Sequence, residues 1–204
     1  MDRTDRKKRE FMRRELEILN TTEALLSGVD AESVTVERIA QDVGIGKGTI
    51  YKHFKTKHEI VARLIEISLD ARMAVLSPTD RTPMDRLNDY IALRLGQPHQ
   101  FQLIERWSEG LVRHRQAESL ELIQRMLDRE RLKLAQLLDQ AGCTGQSRSA
   151  HSMAGWLLAS VQGILAVGPE RLHPERPDAM NTVITQVLVD LSQAARAPRK
   201  VTVL

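Results

Sequence analysis

The sequence predicts an all-α protein, and three observations lead to this fold class. Apolar residues recur at helical spacing through most of the 204 residues. The alternation of apolar and polar residues that would indicate strands is absent, and aromatic residues make up only 3% of the chain. Glycine and proline separate the apolar segments. These breaks predict helices at about residues 5–27, 35–43, 47–54, 57–76, 84–95, 98–114, 117–141, 147–167 and 178–197.

The apolar spacing also predicts which helix faces are buried. A helix of a globular protein buries the residues that recur three and four positions apart. The residues expected to face inward are Met12, Leu16, Leu19 and Leu26 in the first helix and Ile60, Leu64, Ile67 and Ala71 in the fourth. Glu130 lies among charges of both signs, so we expect it at the surface.

Composition and cysteine content exclude several classes of protein. Hydrophobic residues make up 42%, enough for a packed core, while 28% charged residues argue against a membrane protein. There is no run of about 18 apolar residues, and no apolar signal segment follows the basic start. The single cysteine, Cys143, excludes an internal disulfide and fits a reducing compartment. We therefore predict a cytoplasmic protein in which Cys143 is a small, partly buried residue, with a redox switch as the alternative.

A short helical segment after a glycine turn carries the functional prediction. The helix at 35–43 ends in Gly44-Ile45-Gly46, and the helix at 47–54 follows at once, which is the layout of a DNA-binding helix-turn-helix. Ile50 and Phe54 fall on the inner face, so the residues left outside carry lysine, hydroxyl and imidazole groups. No acidic residue occurs from 44 to 58, and lysines there can neutralise phosphates. The alternative is an amphipathic helix whose charged face is merely solvated.

The run TVERIAQDVGIGKGTIYKHFKTKHEIV closely resembles the DNA-binding domain of TetR-family regulators. The resemblance extends over about residues 14–69 without a gap. It implies that Thr35 contacts the DNA backbone and that Lys57 holds a phosphate. The recognition-helix surface that it implies consists of Lys47, Gly48, Thr49, Tyr51, Lys52 and His53. One departure is Gly46, which stands where family members often have a capping serine; glycine caps less well by a few tenths of a kcal/mol.

The start of the chain is strongly basic. Its basic residues up to about residue 9 are Arg3, Arg6, Lys7, Lys8 and Arg9, offset by the acidic Asp2 and Asp5. A basic arm can follow the minor groove of flanking DNA. A solvated leader is an equally good interpretation, because chain termini often have this composition. We therefore assign residues 1–57 to a helix-turn-helix domain with a basic arm at about 1–9.

Residues 58–204 are predicted to form a helical ligand-binding and dimerisation domain. The segments at about 147–167 and 178–197 are apolar over more of their surface than one buried stripe requires. Small residues in the first of them would allow close helix approach. A homodimer through these two segments would bury the surplus, and the resemblance implies the same. The alternative is an ordinary core within one chain.

A pocket for an unknown small-molecule effector is implied by the resemblance. Such pockets have apolar walls with a few polar groups. The candidate wall residues are Tyr90, Phe101, Ile104, Trp107, Leu111, Met126 and Trp156. Each of them could equally belong to a helical core.

These features together predict a TetR-like DNA-binding transcriptional regulator, a repressor whose binding to a double-stranded operator is changed by a ligand. The alternative is a helical protein-interaction adaptor without a specific operator. No catalytic constellation is recognised, so we do not expect an enzyme. The six histidines are scattered, and neither a metal site nor a cofactor is expected.

Overall fold

The computed structural model describes residues 3–28, 33–97, 117–144, 149–172 and 179–196. These residues form helices joined by short connections and contain no strand, which confirms the all-α prediction. The helices are α1 (Arg3–Gly28), α2 (Val36–Val43), α3 (Lys47–His53), α4 (Lys57–Leu76), α5 (Pro83–Gly96), α6 (Ala117–Gln140), α7 (Ala150–Val167), α8 (Pro169–Leu172) and α9 (Ala179–Arg196). The helix predicted at 98–114 lies outside the described residues.

The chain divides into two compact units. Unit 1 comprises residues 1–68 and 102–124, and unit 2 comprises residues 69–101 and 125–204. The division falls inside α4, after Ser68, and inside α6, after Gln124. The predicted functional boundary between residues 57 and 58 stays a prediction.

Unit 1 has an apolar core built by its first four helices. Helix α1 packs on α2, and α2 packs on α3. The core residues that are almost fully buried are Ile18, Leu19, Val34, Ile39, Ala40, Ile50, Phe54, Ile60, Val61 and Ile65. Thr22 is also buried, and its hydroxyl donates to the carbonyl of Ile18 at 2.7 Å, so this polar group is satisfied within α1.

The first half of α1 extends beyond this core. Met12 and Leu16, which were predicted to face inward, are 59% and 54% exposed, so this prediction is wrong. A helix of 26 residues is about 39 Å long, and the short helices α2 and α3 cover only part of it. The basic residues from Arg3 to Arg9 lie in α1 rather than in an extended arm.

The turn between α2 and α3 is fixed by backbone geometry. Thr35 is the N-cap of α2, and its side chain accepts the N–H of Arg38 at 3.2 Å. Gly44 has φ 75°, a left-handed conformation that costs a side chain-bearing residue free energy. The N–H of Gly44 donates to Gln41 at 3.1 Å, and the N–H of Ile45 donates to Ala40 at 2.9 Å. This pair of bonds is a Schellman motif, which ends α2 and redirects the chain at once.

Helix α4 begins with a capping arrangement that was not predicted from the sequence. The Thr56 hydroxyl accepts the N–H of Glu59 at 3.2 Å, and the Glu59 carboxylate accepts the N–H of Lys55 at 2.6 Å. Ile60 and Leu64 are buried as predicted, but Ile67 and Ala71 are exposed, so the prediction is wrong for these two residues. The buried face shifts instead to Ile65, Leu69 and Arg72 along the helix.

Unit 2 contains an apolar core with charged residues inside it. The largest apolar residues of this core are Leu76, Leu87, Tyr90, Ile91, Leu134, Leu137, Leu138, Met153, Leu157, Val161, Leu165, Ile184 and Leu188. Glu130, expected at the surface, is 2% exposed because Tyr90 and two arginines surround its carboxylate. The prediction for Glu130 is therefore wrong.

Helix α7 is the only described helix that is long and apolar enough to cross a bilayer, with a mean hydropathy of 1.3. Length and composition alone support that possibility, and the core helix of a globular protein meets the same criteria. In unit 2, α7 contributes Met153, Leu157 and Val161 to the core. The described residues thus cover only part of the apolar surface of α7.

The left-handed conformation of Gly44 leads to a stability prediction. A Cβ at Gly44 would meet no atom within 4 Å, so the cost of Gly44→Ala is conformational, about 1 kcal/mol. The matched control is Gly48→Ala in α3, where a Cβ also meets open space but the backbone is helical. We expect Gly48→Ala to leave stability unchanged or raise it by up to about 1 kcal/mol. Urea denaturation measures the free energy of unfolding of both variants. Equal changes in Gly44→Ala and Gly48→Ala would contradict the role of the left-handed turn.

Candidate nucleic-acid interface

Helix α3 presents one face to the core of unit 1 and the other to solvent. Ile50 and Phe54 are buried, as predicted. Tyr51 is 51% exposed, and Lys47 and Lys52 are exposed beside it. The structure thus brings the predicted lysine and hydroxyl groups together on one short helix, directly after the Schellman turn.

The backbone at the start of α3 is accessible. Gly46 is the N-cap and provides no side-chain hydrogen bond, in keeping with the departure from serine seen in the sequence. Gly48 is exposed, and no atom lies within 4 Å of the position that its Cβ would occupy. Thr49 is half-buried. A phosphate group could approach this backbone closely, because no bulky side chain covers it.

Lys47 is held by an ion pair across the turn. Its Nζ lies 2.7 Å from the Glu37 carboxylate on α2, and both side chains are more than half exposed. The hydrogen bond from Lys47 lowers the pKa of Glu37 and raises the pKa of Lys47, so both groups stay charged at neutral pH. An exposed pair of this kind contributes little stability. Its consequence is positional, since it keeps the Lys47 ammonium next to the first turn of α2.

Two other predicted contact residues lie at helix starts. Thr35 is exposed and caps α2. Lys57 is the first residue of α4 and is half-buried, next to the capping arrangement of Thr56 and Glu59. Backbone N–H groups at helix starts carry partial positive charge, which favours anions.

His53 is placed differently from the other predicted contact residues. Its ring stacks on Phe11 of α1, with ring centroids 4.0 Å apart and an interplanar angle of 27°. The buried Nδ1 atom has no hydrogen-bond partner among the described residues. Burial lowers the pKa of His53, while nearby Glu15 acts in the opposite direction. His53 therefore fixes α3 against α1, and its contact with DNA stays a prediction that this packing disfavours.

The residues predicted for an effector pocket are only partly described. Phe101, Ile104, Trp107 and Leu111 lie outside the described residues. Tyr90 is fully buried and Met126 is half-buried, whereas Trp156 is 39% exposed on α7. The exposure of Trp156 suits a surface contact better than a pocket wall.

The buried charges next to Tyr90 were not predicted from the sequence. The Tyr90 hydroxyl donates to Glu130 at 2.9 Å, and Nη1 of Arg94 donates to the same hydroxyl at 2.9 Å. Arg72 lies 3.6 Å from the Glu130 carboxylate. Burial, followed by the charge of Glu130, raises the pKa of Tyr90. The available signal was the spacing of Arg86, Tyr90 and Arg94 on the buried face of α5.

Cys143 and the metal-ligand residues suggest no further site. Cys143 is buried, and its thiol donates to the carbonyl of Leu188 at 3.5 Å, which agrees with the prediction of a small buried residue. Among the described residues, no group of three or more histidine, cysteine, aspartate or glutamate side chains could hold a metal ion.

Comparison with known proteins matches the N-terminal region to a family. Residues 18–64 match the model described as bacterial regulatory proteins, tetR family. HTH-type transcriptional regulators of Staphylococcus aureus strains USA300 and N315 are 44% identical to this chain over 39 residues. That segment is 19% of this chain and 21% of each relative, so the chain matches about a fifth of the length of these curated relatives.

Solved structures resemble the chain over most of its length. A bacterial regulatory protein in the tetR family from Rhodococcus RHA1 has a TM-score of 0.71 at 12% identity and covers 88% of this chain and 96% of its own. The TetR family transcriptional regulator PfmR from Thermus thermophilus has a TM-score of 0.66 at 17% identity, covering 90% and 96%. The ketosteroid transcriptional regulator KstR2 of Mycobacterium tuberculosis has a TM-score of 0.65 at 19% identity, covering 91% and 96%.

The fold and the exposed face of α3 define an all-α protein with an N-terminal helix-turn-helix. At these identities the solved structures establish the fold alone. The match at residues 18–64 includes the turn and α3, whose geometry agrees with it. The N-terminal region of the chain, at residues 18–64, is therefore similar to the tetR family of bacterial regulatory proteins.

The packing of His53 predicts a pH dependence of stability. Because burial lowers its pKa below the ordinary 6.5, the folded state favours the neutral ring. The contribution of His53 to stability is therefore fully present above pH 6.5 and is lost as the pH falls through the folded-state pKa. We expect the stability difference between wild type and His53→Gln to shrink from about pH 7.5 to about pH 5, on either side of the ordinary pKa. Chemical denaturation across this range measures it, and a constant difference would contradict the prediction.

Proposed function

We propose that this protein is a DNA-binding transcriptional regulator that acts as a homodimer on a double-stranded operator. The observation that carries the proposal is the exposed face of α3, where Lys47, Tyr51 and Lys52 follow a tight turn while Ile50 and Phe54 anchor the helix. A short, anchored helix of this kind fits the major groove. The similarity to HTH-type transcriptional regulators supports the same function.

The exposed residues of α3 have separable roles in this proposal. Lys47 and Lys52 neutralise phosphates, and counterion release makes their contribution depend on salt. The Tyr51 hydroxyl donates to a phosphate oxygen, which fixes the position of the helix on the duplex. Thr35 and Lys57 contact the backbone from the starts of α2 and α4. Glu37 lowers the net charge beside Lys47, which limits non-specific attraction to DNA.

The basic start of α1 adds a second region of positive charge. Arg6, Lys7, Lys8 and Arg9 are exposed on α1. In a helix these side chains surround the axis instead of following a groove as an extended arm would. We propose that they attract flanking DNA through long-range electrostatics.

The dimer would form through α7 and α9. Trp156 on α7 is 39% exposed, and Val183 on α9 is 52% exposed. The neighbouring Gly155, Ala159 and Gly163 leave space for close helix approach. Two helices from each copy could cover these apolar surfaces. Two linked recognition helices would then read half-sites about 34–36 Å apart.

The regulation that we propose is repression changed by a small-molecule effector. A repressor that responds to a ligand requires different ligand affinities in its DNA-bound and free forms. The protein would act by binding rather than by catalysis, and it would do so in the cytoplasm, where its operator lies.

Operator binding gives the first test. In a gel shift with the DNA upstream of its own gene, we expect Tyr51→Ala to weaken binding about tenfold, as loss of a hydrogen bond of roughly 1–1.5 kcal/mol implies. Lys57→Ala should weaken binding and reduce the slope of log affinity against log salt by about one. Arg131→Ala, which removes an exposed charge of α6, is the control.

Both variants should retain the wild-type melting temperature, because Tyr51 is exposed and Lys57 lies at a helix end. Undiminished binding by Tyr51→Ala and Lys57→Ala would refute the assigned contacts. Binding that is independent of sequence and as strong for unrelated DNA would favour an adaptor with a basic surface over an operator-specific regulator.

Assembly gives the second test. Val183→Glu places a charge on α9, so we expect a shift from dimer to monomer in sedimentation velocity. Leu132→Glu is the matched control, since Leu132 is 51% exposed on α6 and has similar size. A dimer that survives Val183→Glu but dissociates with Leu132→Glu would move the interface to α6.

A further inference from the structure

The described residues of unit 2 bury more positive than negative charge. Among the residues that the structure describes there, the buried charged groups are Arg72, Arg86, Arg94 and Glu130. Charged side chains are almost never fully buried unless they are paired, because leaving water is costly for an ion. Three guanidinium groups and one carboxylate within an apolar core therefore require an explanation.

Arg72 and Arg94 share Glu130, which carries the one buried carboxylate among the described residues of unit 2. We name Arg72, Tyr90, Arg94 and Glu130 the arginine cluster. Glu130 Oε1 lies 3.6 Å from Nη1 of Arg72 and 3.9 Å from Nη1 of Arg94, and it accepts the Tyr90 hydroxyl at 2.9 Å. The two arginine side chains are each 5% exposed and the glutamate side chain is 2% exposed. The cluster therefore holds one positive charge more than it neutralises.

Arg94 also has an unused hydrogen-bond donor. Its Nη1 donates to Tyr90 at 2.9 Å, but its buried Nε has no hydrogen-bond partner among the described residues. The Nε side of a guanidinium is planar and matches the two oxygens of a carboxylate. The burial of Arg72 lowers its pKa, and the neighbouring Arg94 adds to this effect, so repulsion between the two cations is not fully relieved.

The surroundings of the cluster are apolar. Tyr90 belongs to the same core as Leu87, Ile91 and Leu134, all of which are fully buried. A ligand that meets both the excess charge and these neighbours needs one anionic group on an apolar body. A single negative charge matches the single excess positive charge, whereas a phosphate dianion would exceed it.

We propose that the arginine cluster binds the carboxylate of an apolar small-molecule acid, with Arg94 and Arg72 as its cationic partners. This inference rests on the proposed ligand-responsive function, and it names the chemical class of the effector. Glu130 and Tyr90 hold the two guanidinium groups in place when the acid is absent. The acid supplies the second carboxylate and occupies the Nε donor of Arg94.

Thermal unfolding of the full chain without DNA tests the site. The probes are straight-chain acids of four to twelve carbons, benzoate and phenylacetate (a range roughly matched to the size of small-ligand pockets). Each acid is paired with the alcohol of the same skeleton, and hexyl phosphate is included. We expect at least one acid to raise the melting temperature in a saturable manner, while its alcohol does not.

Variants then locate the binding site by calorimetry with the best acid. Arg94→Gln should weaken binding at least tenfold, since it removes the charge and the planar donor. Arg86→Gln is the matched control, because Arg86 is also buried on α5 but donates to the Leu76 carbonyl at 3.4 Å, outside the cluster. It should bind the acid as the wild type does. Glu130→Gln should tighten binding, because it leaves a second guanidinium charge for the acid to neutralise; a purely structural role of Glu130 would not have this effect.

Four results would overturn the proposal: no response to any acid, equal responses to acids and alcohols, a response to hexyl phosphate alone, or undiminished binding in Arg94→Gln. If Arg94→Gln does not fold, two other variants test the proposal. We expect Glu130→Gln to bind the acid more tightly than the wild type does and Arg94→Lys to bind it more weakly. Because these measurements contain no DNA, their failure leaves operator binding intact. Failure of operator binding with a preserved acid response would instead refute the regulator.

Discussion

The left-handed turn at Gly44 is the constraint on which the candidate interface depends. The two hydrogen bonds to Gln41 and Ala40 end α2 and aim the chain into α3 within three residues. Burial of Ile50 and Phe54 then fixes the rotation of α3 about its own axis. Without the turn, that burial would still hold α3 to unit 1, but its exposed face would point elsewhere. The backbone conformation of the turn thus sets the direction of α3, and side-chain burial sets its rotation. Both are needed to place the exposed face of α3.

Local signals made the N-terminal unit predictable. Glycine in a helix-ending position, a capping threonine and an apolar periodicity all act over fewer than ten residues, so the sequence displays them directly. The bounds of α2 and α3 and the division of α3 into two faces followed from them. The same reasoning failed for Met12 and Leu16, because periodicity shows that a face is apolar but not whether a partner helix is long enough to cover it.

The buried charges of unit 2 could not be predicted in this way. Tyr90 and Glu130 are 40 residues apart in the sequence, and the pairing that makes Glu130 tolerable in the core is visible only in three dimensions. In the sequence Glu130 stands among charges, where a solvated position is the better expectation. The prediction that Ile67 is buried failed for a related reason. The buried face of α4 includes Arg72, and a charged residue is not recognised as buried when only hydrophobic spacing is considered.

The contrast between the two polar sites follows from their dielectric surroundings. The Lys47–Glu37 pair is exposed, so water screens it and a phosphate can replace the glutamate at small cost. In the arginine cluster a ligand cannot simply replace Glu130 as the partner of the arginines, because removing the glutamate or an arginine from its ion pair leaves an unpaired ion in the core. The proposed binding of DNA at α3 would therefore need little rearrangement of the protein, whereas neutralising the cluster would change the stability of unit 2 itself. A ligand influences DNA binding only if it favours one form of the protein, and a buried ionic site can provide that difference where an exposed one cannot.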